Sequence, residues 1–508
     1  MSAHILAIDL GSSGVKVAVV DEEGRVLGDG SEALPTLFLP GGGAEQDAEE
    51  WWAAIGRCAR RAMAGSRPAD VDAVAVTSQY MSIVAIDRSG LPLMNAVMWM
   101  DTRGRRHNPH LRTDHATELW LDRHGLPPPG DLAHIAFIRS EFPAIDAATA
   151  AYVEPVDYLN ARLTGRIAAT QTTAFPLMTM DNRVHGNLEY SEELVTLAGI
   201  DPDKLAPLVP YDEILGPVTT AAAEHLGITT SAVVVTGTID SITSAVGTGA
   251  LDPTACSIIV GTTSVMVTHV DFKAGDIEHG VISVPSPLPG KYFVMAENGV
   301  GGKALEFLLR NVVYADDAFA TGAMPADAFE RAAAAAALVP PGSGRVLFLP
   351  WLVGSMAPGR DGNVRGGFVN LSLTTSRAQL TRAVLEGVAM NFGWLLPYVA
   401  GFAGTHFTEV CFGGGGAACD LWAEIMADAL GVTVHQLAEP QTTNARGAAF
   451  LALERLGHIK LADIASLLRV RHTYEPVPER VELYAELGQR FVEFHERTRP
   501  FYAALNSR

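Results

Sequence analysis

"HILAIDLGSSGVKVAVV", residues 4–20, reads as an apolar strand, a Gly-Ser-Ser turn and a second apolar strand. The same construction returns at residues 255–270, "ACSIIVGTTSVMVTHV". Ile8-Asp9-Leu10-Gly11-Ser12-Ser13 lies over Ile258-Ile259-Val260-Gly261-Thr262-Thr263. A strand–Gly–hydroxyl–strand unit in each half predicts two related α/β domains facing each other. The expected division is 1–250 and 251–508, at the Gly- and Pro-bearing "GALDPT" of residues 249–254. Such a turn exposes backbone N–H groups and adds hydroxyl donors, which suits phosphate oxygens. One turn alone reads first as an ordinary hairpin; two in corresponding places favour the phosphate reading. Asp9 stands just before the first turn. It reads either as a carboxylate that organises Mg²⁺ through water, since that ion takes one or two carboxylates plus phosphate oxygens, or as a surface Asp capping the turn.

The chain has 508 residues, too many for one hydrophobic core. A hydrophobic fraction of 48% and a charged fraction of 19% are those of a soluble globular protein. No run of about 18 apolar residues is evident, so no membrane span is expected. The N-terminus carries no basic, apolar leader, and the four cysteines show no CxxC spacing; a cytoplasmic protein with reduced thiols is expected. A net charge of −20 argues against a nucleic-acid surface but not against a small phosphate ligand, which needs only local donors. The default expectation for association is a homodimer.

Strands and helices alternate. "QDAEEWWAAIGRCARRAMA" predicts a helix capped by Asp47, with Trp52, Ile55, Ala59, Ala62 and Met63 on one apolar face. "VDAVAVTSQ" predicts a buried strand. From Thr102 to Pro143 the periodicity weakens around Pro127-Pro128-Pro129, as in an insertion on the main sheet. "RAAAAAALV" and "SRAQLTRAVLEGVAMNFGWLLPYV" predict helices, the second opened by a Ser376/Gln379 capping box.

Two stretches carry unusual chemistry. In "VVVTGTIDSITSAVGTG" (233–249) one carboxylate, Asp240, sits among small residues. In "EVCFGGGGAACDLWAEIMADALG" (409–431) four glycines join a strand to a helix, letting a flat ligand or a phosphate lie against the backbone. Neither GxGxxG nor a P-loop is present.

"AIDLGSSGVK", "AEQDAEEWW", "WMDTR", the Asp240 strip, "IIVGTTS", "FLPWLVG", "RAVLEGVA", "GGGGA" and "NARGAAFLA" occur in the order found in the FGGY family of carbohydrate kinases. Over roughly residues 5–455 the chain resembles that family, and most of all its xylulokinase-like members. The resemblance implies a two-domain fold of the actin/hexokinase/Hsp70 (ribonuclease H-like) type, with a cleft between the domains. It implies ATP and Mg²⁺ as cofactors, a small sugar as partner, and Asp240 as the base that takes the proton from the sugar hydroxyl. Small neighbours would then leave room for in-line approach of sugar and γ-phosphate. The alternative for Asp240 is a cap on the helix that begins near Ser241.

By the same resemblance Gly11, Ser12, Ser13, Gly261 and Thr262 would face the phosphates. Gly414, Gly415 and Gly416 would lie beside the adenosine, with Gly302 of "GVGGKALEFL" near the nucleotide. Gln79, Tyr80, Met81 and Asp101 match substrate-contacting positions. Arg103 reads either as a substrate contact or as the ion-pair anchor of its loop. The chain departs from the family where xylulokinases usually show Met-His-Gly: it has Tyr80-Met81-Ser82. Gly-Gly-Gly-Asp becomes Gly237-Thr238-Ile239-Asp240, setting a bulkier Ile239 beside the base, and Arg446 enters the Ala445–Ala449 segment. The expected activity is phosphorylation of a ketopentose such as xylulose, or of a related ketose or polyol. A sugar- or nucleotide-binding sensor on the same fold is the alternative. A chaperone-like or filament-forming ATPase fits less well, because "WMDTR" and Asp240 belong to a sugar site.

Overall fold

The computed structural model describes residues 3–128, 130–320 and 322–506. Each of the two hairpins seeds a mixed sheet. In the first, His4–Gly11 pairs antiparallel with Gly14–Asp21, setting Asp9 opposite Lys16. Val26–Ala33 continues antiparallel on one side. On the other, Val71–Ser78 and then Val233–Val235 run parallel, and Ile214–Pro217 closes the edge antiparallel.

The second sheet repeats this succession. Ser257–Val260 pairs antiparallel with Thr263–Val270, which pairs antiparallel with Tyr292–Val300. On the far side Glu409–Gly413 and Thr433–Leu437 run parallel, and Val470–Tyr474 returns antiparallel. Parallel neighbours are joined by helical crossovers that cover both faces, so their strands are apolar throughout. Ile5, Leu6, Ala7 and Ile8 are accordingly all fully buried.

The helices follow the signals in the chain, with one correction. Ala48–Ala62 starts at Asp47, whose carboxylate accepts the N–H groups of Glu49 and Glu50. Its inward face is Trp51, Ile55, Cys58, Ala59 and Ala62. Trp52 is only partly buried and stacks on His225 at 4.5 Å. Two adjacent tryptophans cannot share a helix face, and Trp51 holds the inward place because its indole N–H reaches the buried Gln46 Oε1 at 2.9 Å. Ala328–Ala337 is helical, and Arg377–Ala403 opens with both halves of the Ser376/Gln379 box. This 27-residue helix is long and apolar enough to cross a membrane by composition, but 67% of its apolar window is buried inside the protein. It also carries a buried Arg382–Glu386 ion pair at 2.7 Å.

One helix of the second half crosses to the first sheet. In Thr443–Arg455, Ala445, Ala448, Ala449 and Phe450 pack on Ile5, Ala7, Ala18, Val20, Ala73 and Ala75. Alanines on both surfaces let the backbones approach closely. Asp240–Gly247 runs alongside it, so the two helices form the floor between the sheets.

Candidate active site

Asp240 is the first residue of the Asp240–Gly247 helix, where the chain leaves the short strand Thr238–Ile239. It is not the cap of that helix. The capping position is Ile239, and no side chain makes a capping bond. Among the described residues the Asp240 carboxylate accepts from the adjacent Ser241, whose Oγ lies at 3.2 Å. Its backbone carbonyl is held instead, by Ser244 Oγ (2.9 Å) and Thr243 Oγ1 (3.0 Å). Ile239 does not crowd the carboxylate: it is buried with Phe175, Ile242 and Ile259.

Asp9 faces Asp240 across the floor. It is 5% exposed, and its Oδ1 is buried with no hydrogen-bond partner among the described residues. Burial raises its pKa, opposed by the charge of Lys16 and a hydrogen bond from Asn444. Burial also pushes Asp240 up to about 7, with the charge of Asp9 as the second cause. Two carboxyls in one poorly solvated floor disfavour each other's ionised form. An orphaned carboxylate oxygen beside a second carboxylate is what a hydrated divalent cation would satisfy. No cluster of three or more His, Cys, Asp or Glu suited to a metal occurs among the described residues.

The two turns lie at the ends of their hairpins with their backbones open. Gly11 and Ser12 are partly buried, and Ser13, Gly261 and Thr262 are exposed. The first turn is braced from behind. Gln46 Nε2 donates to Ser12 O (2.8 Å) and Thr36 Oγ1 (3.0 Å), and the Trp99 indole N–H donates to Ser12 Oγ (3.0 Å). The second turn is braced by the start of the Gly302–Leu308 helix, where Gly302 N donates to Gly261 O at 2.8 Å. In the glycine run most positions answer to packing. A Cβ at Gly414, whose φ is +79°, would lie 2.7 Å from Val260 O, and one at Gly416 would lie 2.6 Å from Val260 Cγ1. Gly415 alone of these three is exposed with open space before it.

The Gln79-Tyr80-Met81-Ser82 segment leaves strand Val71–Ser78 toward the second sheet. Met81 holds φ +59°, a left-handed conformation costly for a side chain of this kind. The segment is pinned on both sides. Gln79 Nε2 reaches Gln46 Oε1 (3.4 Å), and Ser82 Oγ accepts the Trp99 N–H (3.1 Å). Tyr80 Oη donates to Met295 Sδ at 3.3 Å, across the cleft.

Asp101 and Arg103 hold a loop. The Asp101 side chain is wholly buried, accepting from Ala44 N (2.9 Å), Arg103 N (2.8 Å) and Arg103 Nε (2.8 Å). Arg103 also binds Glu45 at 2.7 Å and lies 4.1 Å over the Phe137 ring. Every oxygen of Asp101 is thus engaged by its own loop and by the Gly43–Gln46 strand. Of the two readings of Arg103, the ion-pair anchor is the one its contacts describe.

Two family profiles match this chain. The N-terminal domain of the FGGY family of carbohydrate kinases matches residues 4–247, and its C-terminal domain matches residues 256–454. The chain belongs to the FGGY family of carbohydrate kinases. A xylulose kinase of Staphylococcus epidermidis is 25% identical over 99% of this chain and 98% of that protein. A gluconokinase of Bacillus subtilis is 25% identical over 97% and 95%. The solved structure of a xylulose kinase from Rhodospirillum rubrum superposes with a TM-score of 0.83 at 26% identity, covering 98% and 99% of the two chains. The fold of this FGGY kinase is therefore the two-domain actin/hexokinase-like α/β fold.

Two polar residues of the kinase floor carried no distinguishing signal in the sequence. Gln46 is 1% exposed and joins the Gly11-Ser12-Ser13 turn to Gln79. Asn444 accepts from Ser244 Oγ at 2.6 Å, which ties it to the helix that begins at Asp240, and its amide lowers the pKa of Asp9 on the first strand. Both lie inside stretches that mark the family, but nothing in "AEQDAEEWW" or "NARGAAFLA" says which polar atom meets which. Arg446, the departure in the second stretch, is 1% exposed and turns its guanidinium back to Ala438 O and Glu439.

The contact between the two floor helices makes its own prediction. A Cβ at Gly447 would lie 1.9 Å from Thr243 O, and one at Gly247 would lie 2.2 Å from Thr443 O. Gly447→Ala must part helices that carry Asp240 and Asn444, at a cost of about 3 kcal/mol. Lower kcat and an earlier thermal unfolding midpoint are expected together. Gly488→Ala, in the Pro478–Asn506 helix with open space at its Cβ, is the control. It should be neutral or stabilising by about 0.5–1 kcal/mol. Equal behaviour of the two variants would refute the close-approach argument.

Proposed function

We propose that this kinase transfers the γ-phosphoryl group of ATP to a hydroxyl of a small ketose or polyol. A ketopentose such as xylulose is the first acceptor to test. The observation that supports it most is the state of Asp240. It opens a helix without capping it, keeps its carboxylate almost free of protein partners, and stands opposite an orphaned carboxylate oxygen.

In this reading the acceptor hydroxyl donates its proton to an Asp240 oxygen as its own oxygen attacks phosphorus in line. The turns at Gly11-Ser12-Ser13 and Gly261-Thr262 hold phosphate oxygens, with Gly302 behind them and Gly414–Gly416 beside the adenosine. Asp9 would hold Mg²⁺ through its water shell. That ion, when bound, supplies charge neutralisation for the phosphates. Gln79, Tyr80 and Met81 orient the sugar; Asp101 and Arg103 fix the loop that backs them. Contacts from both sheets imply that the cleft closes on its substrates and excludes water.

The test is ADP release against xylulose, ribulose, xylitol, glycerol and gluconate. Turnover with a ketose or polyol is the expected result. Binding of sugar and nucleotide with no ADP release from any acceptor would favour the sensor instead.

A pH profile checks the base. Asp240 must be ionised to accept a proton, and its pKa is raised to about 7. The kcat/KM for sugar should therefore fall with decreasing pH below about 7, approaching tenfold per unit. A profile that stays flat from about pH 8 to about pH 5.5 would remove Asp240 from this role.

A further inference from the structure

A cavity of about 550 Å³ opens beside Tyr80, between the two halves of the chain. Leu126 and Pro127 of the weakly patterned stretch form one wall. Ile282, Met295 and Glu297 of the second sheet, with the residues from Ser355 to Gly362, form the other. Met295 is the residue whose sulfur accepts from the Tyr80 hydroxyl. Tyr80 has the carboxylates of Glu297 and Asp240 as its two strongest charged neighbours. The cavity therefore continues from the sugar segment.

Its charged lining is mostly occupied, with one exception deep enough to matter. Asp361 pairs with Arg499 at 3.1 Å and accepts from Asn363 N at 2.9 Å. The Arg360 guanidinium is bonded to Ile277 O. Glu278 is exposed, at the mouth. Glu297 is partly buried in the wall, and its carboxylate makes no hydrogen bond or ion pair among the described residues. Burial alone raises its pKa, with no partner to compensate. An acceptor-only group left unpaired in a roomy pocket awaits donors from a ligand.

We infer that this cavity is the subsite for the end of the sugar that does not react, that Glu297 accepts hydrogen bonds from its hydroxyls, and that the site thereby selects neutral ketoses and polyols over sugar acids. The inference rests on the sugar-kinase reading above. A terminal carboxylate entering here would meet the unpaired Glu297 and the exposed Glu278, with Asp361 already paired to Arg499 and the Arg360 guanidinium already bonded to Ile277 O, whereas a hydroxyl would meet an acceptor without a partner. Like charges brought together out of water are strongly disfavoured.

The experiment compares acceptors that differ only at the far end, xylitol with xylonate and glucitol with gluconate, on the wild type and on Glu297→Gln and Glu297→Ala. Binding by calorimetry without nucleotide is measured beside kcat/KM, so the subsite is read even if the phosphorylated sugar is another one. The wild type should favour the neutral member of each pair by roughly tenfold or more. Glu297→Gln should shrink that preference by roughly tenfold, with the KM for ATP and the melting temperature nearly unchanged. Discrimination in binding without turnover of any acceptor would uphold the subsite and refute the kinase substrate proposed above. A wild type that prefers the acids, a preference unchanged in both variants, or no binding of either class would overturn the inference.

Discussion

Asp240→Asn is expected to lower kcat by about 10²-fold or more while nucleotide affinity and folding persist. Asparagine keeps the size and shape of the side chain but cannot take a proton at neutral pH. A helix-capping role would give the opposite result, because asparagine caps nearly as well as aspartate. The structure speaks against the cap alone: the cap position belongs to Ile239, and among the described residues the Asp240 carboxylate bonds to the neighbouring Ser241. Stability provides a second readout. The folded-state pKa of Asp240 is raised from 3.8 to about 7, so the folded protein holds this proton more tightly than the unfolded chain. The ionised form therefore weighs against the fold increasingly as pH rises from about 4 to about 7. Removing the charge should leave the melting temperature at pH 8 equal to wild type or higher. A variant with near wild-type kcat would end the assignment of Asp240 as base.

Excess chelator is expected to bring turnover below about 1% of the wild-type rate, restored by adding back Mg²⁺. The chain has no lysine of the P-loop kind to neutralise the transferred phosphoryl group. The one carboxylate beside the first turn is Asp9, whose buried Oδ1 lacks a protein donor. Asp9→Asn should raise the Mg²⁺ concentration for half-maximal rate by about tenfold, with a smaller change in the KM for sugar. If Asp9 were an ordinary strand residue, the Mg²⁺ dependence of the variant would match wild type. Full activity in chelator would remove Mg²⁺ from the proposal altogether.

Much of this was legible before any coordinates. The repeated strand–Gly–hydroxyl–strand unit predicts two related sheets because each hairpin is local. Its apolar strands, its turn and its register need only neighbouring residues. The Asp47 cap and the Ser376/Gln379 box are likewise short-range, and each helix begins where its signal stands. Asp240 was conspicuous for the same reason, as one carboxylate in a run of small residues.

What the sequence left open is what depends on residues far apart in the chain. Adjacent Trp51 and Trp52 are chemically equal in a periodicity count, and only the buried acceptor on Gln46 decides which turns inward. The glycine run looked like a ligand surface, but Val260, 154 residues before Gly414, claims Gly414 and Gly416 for packing. Asp101 and Arg103 matched sugar-contacting positions, and the ion pairs of Arg103 with Asp101 and with Glu45 turn them to holding a loop. Gly447 is an unremarkable helix residue until Thr243 O lies against it. Local stereochemistry writes strands, caps and turns into the chain. The occupancy of a polar atom, and the room left beside a glycine or around Glu297, depend on which distant surfaces arrive there, and that is decided only when the two sheets close on their shared helices.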